Sequence, residues 1–428
     1  MRFNVHVMGR NLSVSLLILA TVFMSPATVA VNLITGTIVR DADTPYEEPF
    51  PFLIPYVITT ETLGVAVGVL GGISGKPQEQ NSLFVTGLVN ADGARATYLF
   101  FNDYQLSAID KRLFIDASYG IGDFPKLRGY FDVGSPRMPP AGSNESASDA
   151  YIESSGNAGW LEVDLRYVLA AGSAKQNPIN VYTLNRGLLT GGASGGESWN
   201  PARSGRTYLG AKFFYHARSY DYNDQIHLAT SGIRLAFNYN NTDFPINPEK
   251  GSWLNVAIDR DPGTDGNDAW TTINARYSKY IPLSMGDNIE QSVLALHFWT
   301  ADTLTEVTAP PNFGITLGGL YLLRGYPSER FYDRSAIYYS TELRLIPKSD
   351  WLRKIDWLSF LSLEWWEFVA FYEIGRVAPD WDVNTLHTDM KSDVGLGIRI
   401  LMKRTIGRMD ISYSEEDTRL WLMLGHPF

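Results

Sequence analysis

At 428 residues, with a net charge of −10, no cysteine and 13% aromatic residues, the chain is long for one soluble domain and suits a single large β-barrel. Its acidic balance and lack of a basic tract exclude the usual nucleic-acid-binding surface. Without disulfide staples, an exported chain of this kind has to draw its stability from strand pairing.

Residues 1–30 read as a signal peptide. Arg2 and Arg10 mark the charged region, Leu12–Met24 the apolar core, and Ser25-Pro26-Ala27-Thr28-Val29-Ala30 the small residues of a cleavage site. The apolar run, about 13 residues, falls short of the roughly 20 that a spanning helix requires, so a membrane anchor is the weaker reading. Beyond it no apolar run approaches spanning length, and any further crossing of a membrane must use strands. Residues 31–56, crowded at their end by Pro45, Pro49, Pro51 and Pro55, read as an extended periplasmic lead-in. That stretch is too short for a domain, which needs at least ~40 residues even with staples.

From 57 to 428 the pattern is that of a transmembrane antiparallel β-barrel of about 16 strands, all-β. The strand candidates are 62–71, 82–90, 95–104, 112–120, 158–169, 178–189, 206–218 and 230–240 in the first half. The second half offers 252–260, 269–281, 289–300, 334–346, 362–376, 392–402, 407–414 and 418–426. Several alternate with period two: Ile233, Leu235, Phe237 and Tyr239 oppose Arg234, Ala236, Asn238 and Asn240. Val394, Leu396, Ile398 and Ile400 oppose Gly395, Gly397 and Arg399, and Met409, Ile411 and Tyr413 oppose Arg408, Asp410 and Ser412. Asp261–Asp268, Ala301–Arg334 and Val377–Lys391 are the natural outer loops. Before residue 205 the alternation does not place both long polar connections, Phe124–Asn157 and Thr190–Gly205, on the outer side.

The most informative stretch is Gly318–Ile346. It begins with a glycine-hinged segment ending in Leu323-Arg324-Gly325-Tyr326. A strand follows whose apolar side is Ile337, Tyr339, Thr341, Leu343 and Leu345 and whose polar side is Tyr338, Ser340, Glu342 and Arg344. This stretch resembles the Leu/Val-Arg-Gly-Phe/Tyr loop and following strand of the BamA/TamA superfamily of outer-membrane insertases and surface antigens. Asn241-Thr242-Asp243-Phe244-Pro245 with Lys250-Gly251 resembles that family's Phe-Pro-x-x-Gly turn, although the gap from Pro245 to Gly251 is longer; a plain proline-glycine turn is the alternative. The apolar end, with Trp421, Leu424 and Phe428, resembles the sorting signal of bacterial outer-membrane barrels. The resemblance spans about 230–428. A second Leu-Arg-Gly-Tyr, at Leu127–Tyr130, lacks the glycine lead and the acid-bearing strand.

The resemblance implies that the extracellular loop folds into the barrel, with Arg324 facing Glu342 and Glu373 on the next two strands. An enclosed guanidinium needs such partners. It also implies a location in the outer membrane of a Gram-negative bacterium. The function implied is assistance to the insertion or translocation of other outer-membrane proteins, with lipids and unfolded clients as partners. The family's periplasmic POTRA domains find no room in 31–56. The client would enter at the seam between the first strand, Thr62–Gly71, weakened by Gly64, Gly68, Gly71 and Gly72, and the last, Arg419–Gly425. A monomer without cofactor or metal is expected. The alternative is a passive barrel: a porin-like channel, surface antigen or anchor.

Catalytic signals are poor, and the chain does not read as an enzyme. Gly192-Ala193-Ser194-Gly195-Gly196 contains Gly-x-Ser-x-Gly without a strand-to-helix elbow, which favours a glycine-rich connector. His216, His227, His297, His387 and His426 show no metal-ligand spacing. A barrel-borne hydrolase using His227 or His297 is a third, weaker reading.

Overall fold

The computed structural model describes residues 35–42, 50–60, 62–222, 226–263, 268–349, 363–402 and 405–428. The signal peptide expected over 1–30 lies outside them. In chain order the first strands are β1 (Thr37–Asp41), β2 (Phe50–Thr60), β3 (Gly64–Ser74), β4 (Ser82–Asn90) and β5 (Arg95–Gln105). Then come β6 (Leu113–Gly129), β7 (Ile152–Val168), β8 (Asn180–Asn185), β9 (Leu188–Gly191), β10 (Arg206–Tyr220) and β11 (Ile226–Asn240). They are followed by β12 (Gly251–Asp261), β13 (Trp270–Pro282), β14 (Ile289–Thr303), β15 (Ile315–Leu317) and β16 (Phe331–Asp333). The last are β17 (Ser335–Pro347), β18 (Leu363–Ala378), β19 (Lys391–Met402), β20 (Thr405–Ser414) and β21 (Thr418–Leu424).

Sixteen of these form one sheet, β2 to β7, β10 to β14 and β17 to β21 in sequence order, each antiparallel to its neighbour. The sheet curls until β2 and β21 approach within 8 Å, Cα to Cα. No backbone ladder joins those two strands among the described residues. This is the expected all-β antiparallel barrel, with a seam.

The burial pattern is inside out. Val65, Val67 and Val69 of β3, Leu235 of β11, Leu396 of β19 and Ile411 of β20 are exposed, whereas Glu342, Arg344, Arg399 and Asp410 are buried. A fold facing water on its outer surface does the reverse. An apolar outer band around a polar lumen is the arrangement a bilayer selects. Most wall strands have nine or more residues, the length needed to cross a bilayer at a tilt. Among the described residues no helix is long and apolar enough to do so.

Two features of the first half differ from expectation and offset each other in the strand count. The barrel starts at Phe50, not at 57: β2 lies within and beyond the segment read as a lead-in. Its prolines, Pro51 and Pro55, argue against a central strand but are tolerated at an edge, which is where β2 stands. The stretch 178–189, counted as a wall strand, instead supplies β8 and the start of β9. They turn over Arg186 and Gly187, both at positive φ (50° and 74°), as a two-residue hairpin demands, and form a small sheet with β1. The long connections 130–151 and 169–205 therefore leave opposite ends of the barrel. That removes the conflict over which side each belongs to.

The end carrying Phe50 and Leu424 is here the first mouth, and the other the second mouth. The connection 304–334 leaves from the second mouth and bears the β15–β16 hairpin.

Candidate functional site

The site is the tip of that connection, buried against the wall. Gly318 and Gly319 adopt φ of 107° and 110°, a backbone shape open to glycine and strained for other residues. They turn the chain so that Leu320–Leu323 lie among the buried apolar residues, and Leu323 itself has φ 53°. Arg324 then meets three acids from three strands. Its Nη2 is 2.9 Å from Glu342 Oε1 on β17 and 2.9 Å from Glu373 Oε1 on β18, and its Nη1 is 2.6 Å from Asp410 Oδ2 on β20. Its Nε and backbone N–H also donate to Glu373, at 3.0 and 2.7 Å. The guanidinium lies 3.5 Å from the centre of the Phe371 ring, adding a cation–π contact.

Each neighbour of Arg324 is fixed too. Gly325 N–H donates to Asp393 Oδ2 at 2.9 Å, and its carbonyl accepts from Ser414 Oγ at 2.7 Å. Tyr326 is fully buried, and its hydroxyl donates to Ser392 O at 3.2 Å. Glu342 also receives Arg344 (2.7 Å) and Arg399 (2.8 Å), so one carboxylate serves three guanidiniums. Further out, Arg218 bonds Glu329 at 2.7 Å and Arg330 bonds Glu416 at 2.8 Å, tying the flanks of the connection to the wall and to the β20–β21 turn.

The structure thus brings Leu323, Arg324, Gly325, Tyr326, Glu342 and Glu373 together. Asp410, Asp393 and Arg399 belong to the same cluster and were not singled out from the sequence. Their signal was there in part: Asp410 and Arg399 occupy the polar sides of alternating strands. The second Leu-Arg-Gly-Tyr lies at the end of β6, where Arg128 makes a half-exposed pair with Glu153 at 2.6 Å.

The turn at 241–250 closes β11 to β12 at the first mouth. Asp243 Oδ1 accepts from the N–H groups of Phe244 (2.9 Å), Glu249 (3.1 Å) and Lys250 (3.3 Å), and Gly251 takes φ 108°. Phe244 packs on Tyr182 of β8, ring centres 5.1 Å apart; Pro245 follows it in the turn. Burial pushes the Asp243 carboxyl from 3.8 up to about 6, against those three donors. A carboxyl raised in the fold contributes stability that is complete below pH 3.8 and is lost as the pH rises through about 6. The denaturation midpoint should therefore fall across that window by an amount equivalent to about 1–3 kcal/mol, and Asp243→Asn should remove the fall. Identical pH profiles for the two proteins would contradict this.

Trp421 is buried, and its Nε1 donates to Arg324 O at 2.6 Å. Leu424 ends β21 opposite Gly407; its side chain lies outside the described residues. Phe428 was expected at the end of a strand running to 426. Instead the strand stops at Leu424, the chain turns at Gly425 (φ 79°), and Phe428 enters the lumen, its ring stacked on His297 at 4.7 Å.

The residues weighed for catalysis lie apart from this site. Ser194 Oγ donates to Thr242 O (3.0 Å) and accepts from Tyr182 (2.8 Å), fastening a connector. His297 Nδ1 is 2.9 Å from Ser278 Oγ, beneath the Phe428 ring. His227 Nδ1 is 2.9 Å from Ser219 Oγ in an exposed pair. No cluster of three metal-ligating side chains exists among the described residues.

The Omp85 superfamily domain matches residues 199–416, just over half the chain. No curated protein matches it. Among solved structures, CdiB from Escherichia coli aligns with a TM-score of 0.53 at 11% identity, over 89% of this chain and 63% of that one. CdiB from Acinetobacter baumannii aligns at 0.51 and 14% identity, over 88% and 59%. BamA from Haemophilus ducreyi lacking POTRA domains 1–3 aligns at 0.48 and 12% identity, over 89% and 70%. The chain spans about three fifths of the CdiB chains, and at these identities the likeness to CdiB is one of fold. The matched domain holds the docked connection and most of the wall that receives it, and the chain belongs to the Omp85 superfamily of outer-membrane β-barrels.

Proposed function

We propose that this barrel resides in the outer membrane of a Gram-negative bacterium and assists the insertion or translocation of other outer-membrane proteins, acting through the seam between β2 and β21. The supporting observation is that the two strands stand side by side with no ladder between them among the described residues. An unladdered strand edge is a template for another strand. The seam strand is β2 rather than Thr62–Gly71, so its weakness comes from proline instead of glycine. Pro51 and Pro55 are four residues apart and of the same parity, so the strand lacks two donors along one edge. The partner is an unfolded client barrel presenting a strand, and the surrounding lipid receives it once paired.

The passive-pore alternative requires an open lumen. The connection 304–334 enters from one mouth and the β1–β8–β9 sheet crosses the other, which weighs against it. Purified protein in liposomes should speed the folding of a urea-denatured client barrel severalfold over empty liposomes. Ion conduction with no effect on client folding would overturn the proposal.

A further inference from the structure

The small sheet at the first mouth plays no part in the seam. β1 runs parallel to β8 over five positions, from Thr37 opposite Asn180 to Asp41 opposite Leu184, and β9 completes it. Its two ends are fastened to different walls. At one end Asp103, near the end of β5, accepts from Gly36 N–H at 2.7 Å and Thr37 N–H at 3.1 Å. There Arg206, the first residue of β10, donates to the carbonyls of Thr35 (2.9 Å) and Gly36 (3.2 Å) and to that of Pro178. At the other end, Gly187 in the β8–β9 turn accepts from Trp365 Nε1 of β18 at 3.2 Å and lies against Leu401 of β19. In sheet order β5 is fourth and β18 thirteenth of sixteen. β10, which carries Arg206, is seventh, so the two halves of the clamp stand nine and six strands from β18, and the sheet reaches across the mouth between them.

The components of this span are unequally held. β8 and β9 form a hairpin in the connection from β7 to β10, and Tyr182 and Leu184 pack with Phe244 below it. β1 is an edge strand of five residues, and short parallel pairing is weak. Beyond the ladder, the contact of Val39 with that cluster and the bond from Ala42 N–H to Leu184 O at 2.7 Å, the start of β1 is fastened by the clamp of one carboxylate and one guanidinium, both buried. Arg40 adds a half-exposed, two-bonded pair with Glu79, its Nε and Nη2 each 3.0 Å from a carboxylate oxygen, which solvent weakens relative to the buried clamp. One end of the span is held by packing and one neutral hydrogen bond, whereas the bonds to the wall at the other end run through two side chains, so a change at either of those two loosens β1 there.

We infer that the β1–β8–β9 sheet is a gate over the first mouth, and that it opens when β1 leaves the Asp103–Arg206 clamp. This inference is independent of what passes at the seam. Closed, the sheet would stand between the first mouth and positions such as Asn255 of β12, which is buried and whose Nδ2 donates to Asn238 Oδ1 at 2.7 Å. Open, it admits solutes from the first mouth while the docked connection still blocks the second.

The chain has no cysteine, so a single introduced thiol reports cleanly. Asn255→Cys in the full-length protein in detergent micelles should react slowly with a bulky fluorescent maleimide. Adding Asp103→Ala, which removes two charge-assisted bonds, should raise that rate by about tenfold. Arg206→Gln should act in the same direction through the other half of the clamp, so one variant can fail to fold without losing the test. Thr272→Cys, buried on β13 near the second mouth, should keep its rate in both backgrounds. The gate is overturned if Asn255→Cys labels at the same rate with and without the clamp, or if Thr272→Cys accelerates equally, which would mean general loosening.

Discussion

Arg324→Ala should lower the temperature at which the folded barrel loses its compact gel mobility, with a loss of about 3–5 kcal/mol, the usual cost of removing one partner from a buried ion pair. The basis is that Arg324, Glu342, Glu373 and Asp410 all have no exposed side-chain surface. Without the guanidinium, carboxylates from three strands face one another in an enclosed space. Arg324→Lys should recover only part of the loss, because a single ammonium cannot fork towards three acids at once. Gel mobility is checked on unboiled samples across a temperature series. A wild-type midpoint for Arg324→Ala would remove the structural role given to the cluster. A double-mutant cycle with Asp410→Asn should show strong coupling, since the two side chains touch.

Gly325→Val should undock the tip altogether. A Cβ at Gly325 would stand 2.6 Å from Asp393 Cβ and 2.8 Å from Ser414 Cβ, distances that real side chains do not tolerate. Both neighbours sit on wall strands, β19 and β20, and can move only by disturbing the ladder that joins them, in which Asp393 opposes Ser414. Overpacking a fixed site of this kind costs about 1–3 kcal/mol even for one extra methylene, and valine adds more. The expected result is a barrel that still forms but whose connection 304–334 is cut by added protease where the wild type resists. Protease resistance equal to wild type would show that the wall yields more easily than the ladder suggests.

The parts of this molecule that were legible in the sequence are those where period-two alternation is strong and the two sides differ in polarity. β11, β17, β19 and β20 could be read residue by residue, and so could the Arg324–Glu342–Glu373 grouping once the loop was recognised. Asp410 was harder for a physical reason. It lies 86 residues from Arg324, and alternation says that a side chain faces the lumen without saying which lumen neighbour it reaches. Asp393 meets the Gly325 backbone, which carries no side-chain signal at all. β2 was missed because proline lowers strand propensity everywhere except at an edge, and edge position is a property of the closed sheet. The stretch 178–189 alternates like a wall strand because its small sheet also has an apolar and a polar side; the pattern gives the pleat but not the sheet it joins.

The way Arg324 is received carries a consequence for biogenesis. Its acids arrive on β17, β18 and β20, so the tip has nowhere to settle until nearly the whole chain has been added to the growing wall. A slip of one residue in β20 would turn Asp410 towards lipid and offer Met409 or Ile411 in its place. One arginine thus proof-reads the registration of three strands whose acids, Glu342, Glu373 and Asp410, come from separate stretches of the chain, and a misaligned barrel would announce itself by a connection left hanging outside.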